Sequence, residues 1–415
     1  MGKLAIKGGK KAYTAKLPPW PVWDRKEERA LLEALHKTDW GGYPPPNTIT
    51  KRFCDKFGKK HDSKYCFTNA SGTVSLMLAL KALDIGWEHE VIVPALTFVA
   101  TASCALYLDA VPVFVDVKPD TLCIDPDRIE AAITPKTRAI IPVHLGAHAC
   151  EMDKIMELAK KHNLYVVEDC AHAHGMKYQG KSAGAWGDIN AFSFQSSKVM
   201  TAGEGGCITT NSEAYYDKCM VLTNAGRKGP REGAKFDTFG WALRMTEFQS
   251  AILEVGLDRL FTKQMPVKQK NYKNFQKRIA GIPALNTLPE DKNITRKSGY
   301  GFIVMFDEDE FGVPRDKVVA ALNAEGVPCF GAFYEPVYNA GIFPLADDGS
   351  PLTLRQLRGK VDYRKFRGSC PVSEKAAYHR TIWVLHRMFL GSQTQTAMMA
   401  DAFEKVMENI DELRK

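Results

Sequence analysis

Residues 164–175 read LYVVEDCAHAHG, and this stretch decides the fold class. It begins as a continuous apolar run, which is typical of a strand buried on both faces of a sheet. The run ends in Glu168-Asp169. Because ligands of open parallel sheets gather at the carboxyl ends of the strands, Asp169 is a candidate site residue. Taken alone, Asp169 is better interpreted as the N-cap of a following helix.

The segments around this stretch alternate between strands and helices. Apolar runs predict strands at 90–94, 111–117 and 138–143, and helical spacing of apolar residues predicts helices at 151–162 and 247–261. Such alternation predicts an α/β fold with a mostly parallel sheet covered by helices on both faces. Beyond about residue 265 the pattern changes to that of a smaller α+β unit.

The chain therefore divides into three expected parts. We expect an N-terminal arm with one helix around Arg25 to Lys37 (residues 1–60), a large α/β domain (61–262) and a small α+β C-terminal domain (263–415). Within the last part, we expect residues 341–372 to form a long loop and the tail from Thr394 to Lys415 to be helical.

Composition excludes several classes of protein. The 415 residues carry a mild net charge of +8, with no basic stripe of the kind that binds nucleic acid. No apolar run approaches the roughly 18 residues needed to cross a membrane. The ten cysteines include no CxxC pair, and most lie in apolar runs. Free buried thiols predict a reducing, cytoplasmic compartment.

A lysine follows another apolar strand. Residues 191–198 read AFSFQSSK, and a glycine-rich turn follows at 203–206. A lone lysine in a loop is usually a solvated charge. Because Lys198 lies between apolar strands, its amine is also a candidate nucleophile.

Two further segments allow a ligand-binding interpretation. Residues 68–76, TNASGTVSL, place small hydroxyl residues and a glycine at the start of an apolar helix, where free N–H groups bind anions. A simple N-cap explains that segment equally well in isolation. Phe98 follows a strand and, taken alone, is better interpreted as a core residue than as a residue over a planar ligand.

A metal site is the weaker hypothesis for the 164–175 segment. Asp169, His172 and His174 are possible ligands, but the sequence clusters no further ligands beside them. We therefore predict no metal.

Together the four segments supply what pyridoxal 5′-phosphate (PLP) requires. The helix start binds its phosphate, the aromatic covers its ring, Asp169 holds the ring nitrogen protonated, and Lys198 forms the Schiff base. At this point the sequence resembles the DegT/DnrJ/EryC1/StrS aminotransferases, PLP enzymes of fold-type I (the aspartate aminotransferase-like fold). The motifs that carry the resemblance are Ser71-Gly72-Thr73, Thr97-Phe98, residues 168–175, Ser193 to Lys198, Gly205-Gly206 and residues 244–249.

The resemblance implies a role for each matching residue. Lys198 would be the catalytic residue that bonds to the cofactor, Asp169 would pair with the ring nitrogen, and Phe98 would stack on the ring. His172 would lie near the ring hydroxyl. The remaining implied cofactor-binding residues are Ser71, Gly72, Thr73, Ser193 and Arg244.

Within the family, several sequence segments are similar to those of glutamine:scyllo-inosose aminotransferases. They include the opening LAIKGG, the phrase from Lys198 to Gly206 and the late Val384-Leu385-His386-Arg387. The expected reaction is transamination of a cyclic ketone, either a keto-cyclitol such as scyllo-inosose or a keto-sugar, with L-glutamine as donor, in aminocyclitol antibiotic or amino-sugar biosynthesis. An aromatising 3-amino-5-hydroxybenzoate synthase and a nucleotide-keto-sugar aminotransferase are the alternatives.

Two other classes are less consistent with the residues. Related sugar dehydratases replace the lysine with histidine, so Lys198 argues against them. A non-catalytic sensor would have no reason to keep Lys198, Asp169 and Ser193 together.

The resemblance also implies a homodimer whose subunits share their active sites. The segment from Trp40 to Pro46 is a candidate to reach the partner. Many members carry an asparagine at the position of Ala242 that contacts the partner's phosphate; Asn224 or Arg244 is the possible substitute. Candidates for binding the acceptor are Tyr334, Tyr338 and His386.

Overall fold

The computed structural model describes residues 2–42, 47–146, 148–228, 235–343 and 363–414. The strands are β1 (Tyr65–Asn69), β2 (Glu90–Pro94), β3 (Val111–Val115), β4 (Thr137–Ile140), β5 (Tyr165–Asp169), β6 (Lys177–Tyr178), β7 (Lys181–Ser182), β8 (Ile189–Ser193), β9 (Gly206–Thr210), β10 (Arg227–Lys228), β11 (Lys235–Phe236), β12 (Leu285–Thr287), β13 (Ile294–Arg296), β14 (Gly301–Phe306), β15 (Cys329–Phe330) and β16 (Thr381–Leu385).

The α-helices range from one turn to more than four turns in length. They are α1 (Arg25–Lys37), α2 (Thr48–Lys60), α3 (Gly72–Ala82), α4 (Ala100–Leu106), α5 (Pro126–Ile129), α6 (Met152–His162), α7 (Glu213–Thr223), α8 (Glu247–Arg259), α9 (Met265–Ile279), α10 (Glu308–Phe311), α11 (Arg315–Ala324), α12 (Pro371–Lys375) and α13 (Gln393–Glu408). No helix in these ranges is long and apolar enough to cross a membrane.

The central sheet has seven strands in the order β1-β9-β8-β5-β4-β2-β3. The strands from β8 to β3 are mutually parallel, and β9 alone runs against both of its neighbours. Successive residues of a strand belong to different cores: Val166 packs into one and Val167 into the other. Both faces of the sheet are therefore buried, which explains why its strands read as continuous apolar runs.

The C-terminal part has its own antiparallel sheet, in the order β12-β14-β16-β15, and its own hydrophobic core. Leu4 and Tyr13 belong to this core. The backbone N–H groups of Ala5 and Ala12 donate to the buried carboxylate of Glu325, at 2.8 and 2.9 Å, and Lys405 Nζ lies 2.8 Å from the same carboxylate. The start of the chain is thus fastened to the C-terminal part and is not a free arm.

The strands and long helices predicted from apolar periodicity are present, within a few residues at their ends. The prediction of a single helix before residue 60 was wrong, because α2 is also there. Its first N–H groups, those of Ile49 and Thr50, donate to the carboxylate of Glu247 at 2.9 Å, so the cap comes from distant α8. The tail is helical as predicted, whereas most of the expected loop at 341–372 lies outside the described residues.

Candidate active site

A cavity of about 490 Å³ opens at the carboxyl ends of β5 and β8, beside the start of α3. Polar and aromatic side chains from both parts of the chain surround it. Its lining includes Ser71, Gly72, Thr73, Phe98, Asp169, Ala171, His172, Ser193, Gln195, Lys198, Glu204, Tyr300, Phe333 and Tyr334. All the predicted cofactor-binding residues except Arg244 therefore line one cavity, and they include the catalytic Lys198.

The start of α3 forms an anion cradle. Ser71 is the N-cap, and its Oγ accepts the N–H of Val74 at 3.3 Å. The N–H groups of Gly72 and Thr73 have no acceptor within the helix, as at any helix start. Such groups, together with the helix dipole, bind phosphate.

Three backbone segments meet closely beneath this cradle. A Cβ on Gly72 would lie 2.7 Å from Cβ of Ser193, and a Cβ on Gly206 would lie 2.4 Å from the carbonyl carbon of Ser71. Glycine at both positions therefore lets the helix start approach β8 and β9. This contact brings the Ser193 hydroxyl next to the free N–H groups of the cradle.

Asp169 ends β5 and is buried at one wall of the cavity. Thr101 Oγ1 donates to its Oδ2 at 2.9 Å, and the N–H of Ala171 donates to its Oδ1 at 3.1 Å. No helix follows directly, so Asp169 caps a turn and not the helix that the sequence favoured. Burial raises the pKa of Asp169, and the two hydrogen bonds and the charge of Lys198 oppose that shift. A cationic group in the cavity would be strongly attracted to this carboxylate.

The neighbouring Glu168 points away from the cavity. Its carboxylate accepts the N–H groups of Gly184, Trp186 and Gly187 at 2.7–3.1 Å, and His144 Nε2 lies 3.0 Å from it. Glu168, His144 and Cys170 are the group of three possible metal ligands that the described residues contain. Because the oxygens of Glu168 already accept four donors, this group organises the loop after β7.

The structure does not bring His174 to Asp169 as the metal hypothesis required. The imidazole of His174 is buried against the rings of Phe192 and Phe194, and His174 is absent from the described lining of the cavity. His172, by contrast, does line it.

Lys198 reaches the cavity next to an aromatic ring that the sequence did not single out. Its Nζ lies 4.8 Å from the ring centroid of Tyr300. The imidazole of His172 stacks on the same ring, with centroids 3.6 Å apart and an interplanar angle of 10°. Tyr300 precedes β14, and nothing in the surrounding Ser-Gly-Tyr-Gly sequence marks it as a site residue.

His172 is held in one tautomer. The N–H of Gly146 donates to its Nδ1 at 3.3 Å, so its Nε2 carries the proton and donates to Tyr334 Oη at 3.1 Å. Burial and the nearby charge of Lys198 hold the pKa of His172 well below its usual value. Burial raises the pKa of Tyr334 well above its own usual value. This pair is therefore uncharged at neutral pH.

Phe98 is a cavity residue and not the core residue that its position suggested. Its side chain is 53% exposed, and its ring lies 6.2 Å from that of Tyr334. An exposed aromatic in a cavity wall offers its surface to a planar ligand.

Three other predicted residues are absent from the described lining of the cavity. Tyr338 is fully buried against Phe114, and its hydroxyl donates to Glu374 at 2.7 Å, so its assignment to the acceptor pocket was wrong. Arg244 Nη1 donates to the side chain of Asn224 at 3.1 Å. The Nε2 of His386 is 3.0 Å from the carbonyl oxygen of Ser197, the residue before Lys198, and His386 is outside the described lining of the cavity.

The sequence profile of the DegT/DnrJ/EryC1/StrS aminotransferase family matches residues 23–356. The chain belongs to this family. The aminotransferase is 37% identical to a putative L-glutamine:3-amino-2,3-dideoxy-scyllo-inosose aminotransferase of Streptoalloteichus tenebrarius, over 99% of both chains. It is 33% identical to an L-glutamine:2-deoxy-scyllo-inosose aminotransferase of Micromonospora echinospora, over 100% of both.

Solved structures agree with this assignment. The crystal structure of 3-amino-5-hydroxybenzoic acid synthase superposes with a TM-score of 0.84 at 28% identity, covering 95% of this chain and 99% of that one. The aminotransferase thus has the PLP fold-type I architecture predicted from its sequence.

The residues of the cavity fit PLP, the cofactor of this family. Gly72 leaves open a cradle that accepts a phosphate, and the buried Asp169 complements a cationic ring nitrogen. Lys198 supplies the amine that a Schiff base requires.

Proposed function

We propose that this PLP-dependent aminotransferase transfers the amino group of L-glutamine to a keto-cyclitol of the scyllo-inosose type, in aminocyclitol biosynthesis. The observation that carries the proposal is the meeting of Lys198 and Asp169 in a cavity with little positive charge. The names of the relatives in Streptoalloteichus and Micromonospora supply the donor and the ring.

Charge favours a neutral polyol over a nucleotide sugar. Among the described residues that line the cavity, Lys198 alone carries a positive charge, and Glu204 contributes a carboxylate to the wall. A nucleotide keto-sugar brings a diphosphate, which arginine or lysine ordinarily binds. A cyclitol instead requires hydroxyl and amide partners, and Ser197 and Gln195, whose side chains bond to each other at 2.7 Å, place both kinds of group in the wall.

When bound, PLP withdraws electrons from the carbon that loses or gains the amino group. Asp169 holds the positive charge of the ring nitrogen in place, because its burial makes an unpaired negative charge costly. Ser71, Gly72, Thr73 and Ser193 hold the phosphate, and Phe98 covers the ring.

Lys198 acts as the general acid and base. Its Nζ would accept a proton from the α-carbon of the donor and would later return a proton to the carbon of the acceptor that gains the amino group. The adjacent ring of Tyr300 attracts the ammonium form when the amine is protonated. Neutral His172 and Tyr334 extend a hydrogen-bonded chain along the wall of the cavity.

The subunit arrangement proposed is a homodimer. Phe236 and Phe239 are 66% and 92% exposed beside the β10–β11 hairpin, which is costly for aromatic side chains in a monomer. Arg244 and Asn224, which are bonded to each other, are the candidate contacts to the phosphate of the partner subunit in place of Ala242. Trp40 packs on Phe248 of its own chain, and Tyr43 to Pro46 lie outside the described residues.

The proposed compartment is the cytoplasm. All ten cysteines are buried and free. Unpaired thiols in this number are typical of proteins kept in a reducing environment.

The visible absorbance of PLP-loaded protein tests the function. L-Glutamine is expected to remove the absorbance of the lysine-bound cofactor, and scyllo-inosose is expected to restore it after the donor is removed. Recovery only with a nucleotide keto-sugar would contradict the proposed acceptor. New aromatic absorbance from a shikimate-type ketone would instead support the synthase activity named for the similar solved structure.

A further inference from the structure

The two peptide carbonyls that precede Lys198 are each bound by a side chain from a distant part of the chain. Trp20 Nε1 donates to the carbonyl oxygen of Ser196 at 2.7 Å. His386 Nε2 lies 3.0 Å from the carbonyl oxygen of Ser197. Both serines are exposed, so these carbonyls would otherwise be free to bond to water.

The partners of His386 fix its protonation. A carbonyl oxygen only accepts, so Nε2 carries the hydrogen and Nδ1 is the acceptor. Lys268 Nζ donates to Nδ1 at 3.1 Å. Burial and the nearby charge of Lys268 hold the pKa of His386 well below its usual value, which keeps this single tautomer.

Lys268 is itself only 1% exposed, on α9. Within the described residues, His386 is its hydrogen-bond partner, and the ring of Trp20 lies 5.7 Å from its Nζ. The Trp20 ring in turn meets the imidazole of His386 edge-on, with centroids 4.5 Å apart. Trp20, Lys268 and His386 therefore contact one another and converge on one loop, and we refer to them as the carbonyl clamp.

We propose that the carbonyl clamp is a set of positioning residues, which fixes the Ser196 and Ser197 peptides and thereby aims the amine of Lys198 into the cavity. None of its three members lines the described part of the cavity. They act on the reaction through the backbone of the lysine loop and not by contact with donor or acceptor.

The hydrogen bonds within residues 195–198 are short-range, whereas Val199 and Met200, which follow Lys198, are buried in the core. The N–H of Lys198 donates to the carbonyl oxygen of Gln195 at 2.9 Å. The N–H of Ser197 donates to the side-chain oxygen of Gln195 at 2.8 Å. These bonds shape a turn, and the carbonyl clamp adds the bonds that fix the Ser196 and Ser197 peptides against distant parts of the chain. Misplacement of a reacting group by about 1 Å can cost about a hundredfold in rate.

The experiment compares four variants of the full chain. His386→Leu removes the donor to Ser197, whereas His386→Gln keeps an amide N–H where Nε2 was. Trp20→Phe keeps the ring but removes the N–H to Ser196. Tyr272→Phe is the matched control, because Tyr272 is buried one turn further along α9 and its hydroxyl has no partner within the described residues.

The first measurement is hydrogen–deuterium exchange of the peptide covering residues 194–202 in cofactor-free protein. His386→Leu and Trp20→Phe are expected to accelerate exchange there by about tenfold, because local opening becomes easier. His386→Gln and Tyr272→Phe are expected to match wild type. This measurement needs neither cofactor nor substrate, so it does not depend on the proposed acceptor.

The second measurement is the rate of each half-reaction with PLP bound. In His386→Leu, kcat is expected to fall by about 10- to 100-fold for donor and acceptor alike, with KM for both within about threefold. Rescue by His386→Gln supports the clamp. The proposal would be overturned if Trp20→Phe exchanged hydrogen and turned over at the wild-type rates. It would also be overturned if His386→Leu raised the KM for the acceptor and changed nothing else. Trp20 is half-buried, so its variant provides the decisive result if His386→Leu does not fold.

Discussion

The hydroxyl of Thr101 on α4 donates a 2.9 Å hydrogen bond to Oδ2 of Asp169 at the end of β5. Asp169 is buried, and this bond supports its charged form against the burial that raises its pKa. The pair connects helix α4 to strand β5 at the point where the cofactor's ring nitrogen is expected.

Removing either partner is expected to slow transamination. Asp169→Asn should lower kcat/KM by about 10²- to 10⁴-fold, because it leaves a buried positive charge unpaired, at a cost of about 3–5 kcal/mol. Thr101→Val should lower it by about tenfold, since one bond to a charged group is lost. Ser103→Ala, on the same helix, is the control. Steady-state kinetics measure kcat/KM for each variant. A larger loss in Thr101→Val than in Asp169→Asn would contradict the prediction.

A methyl group on Gly72 is expected to weaken cofactor binding. The added Cβ would lie 2.7 Å from Cβ of Ser193, so the cradle must open. Loss of one or two charge-assisted bonds to phosphate raises the Kd for PLP by at least about tenfold. Gly86→Ala is the matched control, because its Cβ meets nothing closer than 3.6 Å. Fluorescence titration of cofactor-free protein measures both, and equal Kd values would refute the cradle.

The buried Glu325–Lys405 pair is expected to be a large contributor to stability. Glu325→Gln leaves Lys405 without a countercharge and should lower the free energy of unfolding by about 3–5 kcal/mol. Asp55→Ala breaks the exposed pair with Lys51 and should cost less than about 1 kcal/mol. Urea denaturation compares the two. Similar losses would mean that fastening the start of the chain to α11 contributes little.

The stability gained by Lys268→Met is expected to depend on pH. Burial lowers the pKa of Lys268 from 10.5 to about 7. Between these values the unfolded chain binds more protons than the folded chain, so wild-type stability rises with pH. The advantage of the methionine variant should therefore be largest below pH 7 and shrink by up to about 1.4 kcal/mol per pH unit above it. Denaturation over this range, with Lys277→Met on the same helix as control, checks the slope; a constant difference would refute it.

Sequence patterns were sufficient for the sheet, and the four segments taken together predicted residues that meet in the cavity. Strands buried on both faces read as apolar runs, and Asp169 and Lys198 follow two of them in the chain. Helix α2 was missed although Ile49, Phe53 and Phe57 have helical spacing, and its capping carboxylate, Glu247, is about 200 residues away. A cap supplied by another helix leaves no mark in the local sequence.

Long-range packing also explains why the sequence assigned Tyr338 to the acceptor pocket and missed Tyr300. Tyr338 and Tyr334 look alike in sequence, but the hydroxyl of Tyr338 bonds to Glu374 and that of Tyr334 bonds to His172 in the cavity wall. Tyr300, which stacks on His172, carries no local signal at all. Which aromatic side chain faces a cavity depends on tertiary packing and not on periodicity.

The identity of the lysine that bonds to PLP tests the account most directly. Borohydride reduction of PLP-loaded protein, followed by peptide mapping, is expected to place the label on Lys198 alone. Lys268 is the competing candidate, because burial lowers its pKa to about 7 and it also contacts His386. Lys198→Ala should therefore abolish the label and Lys268→Met should retain it. A label that survives in Lys198→Ala and disappears in Lys268→Met would contradict the proposed active site.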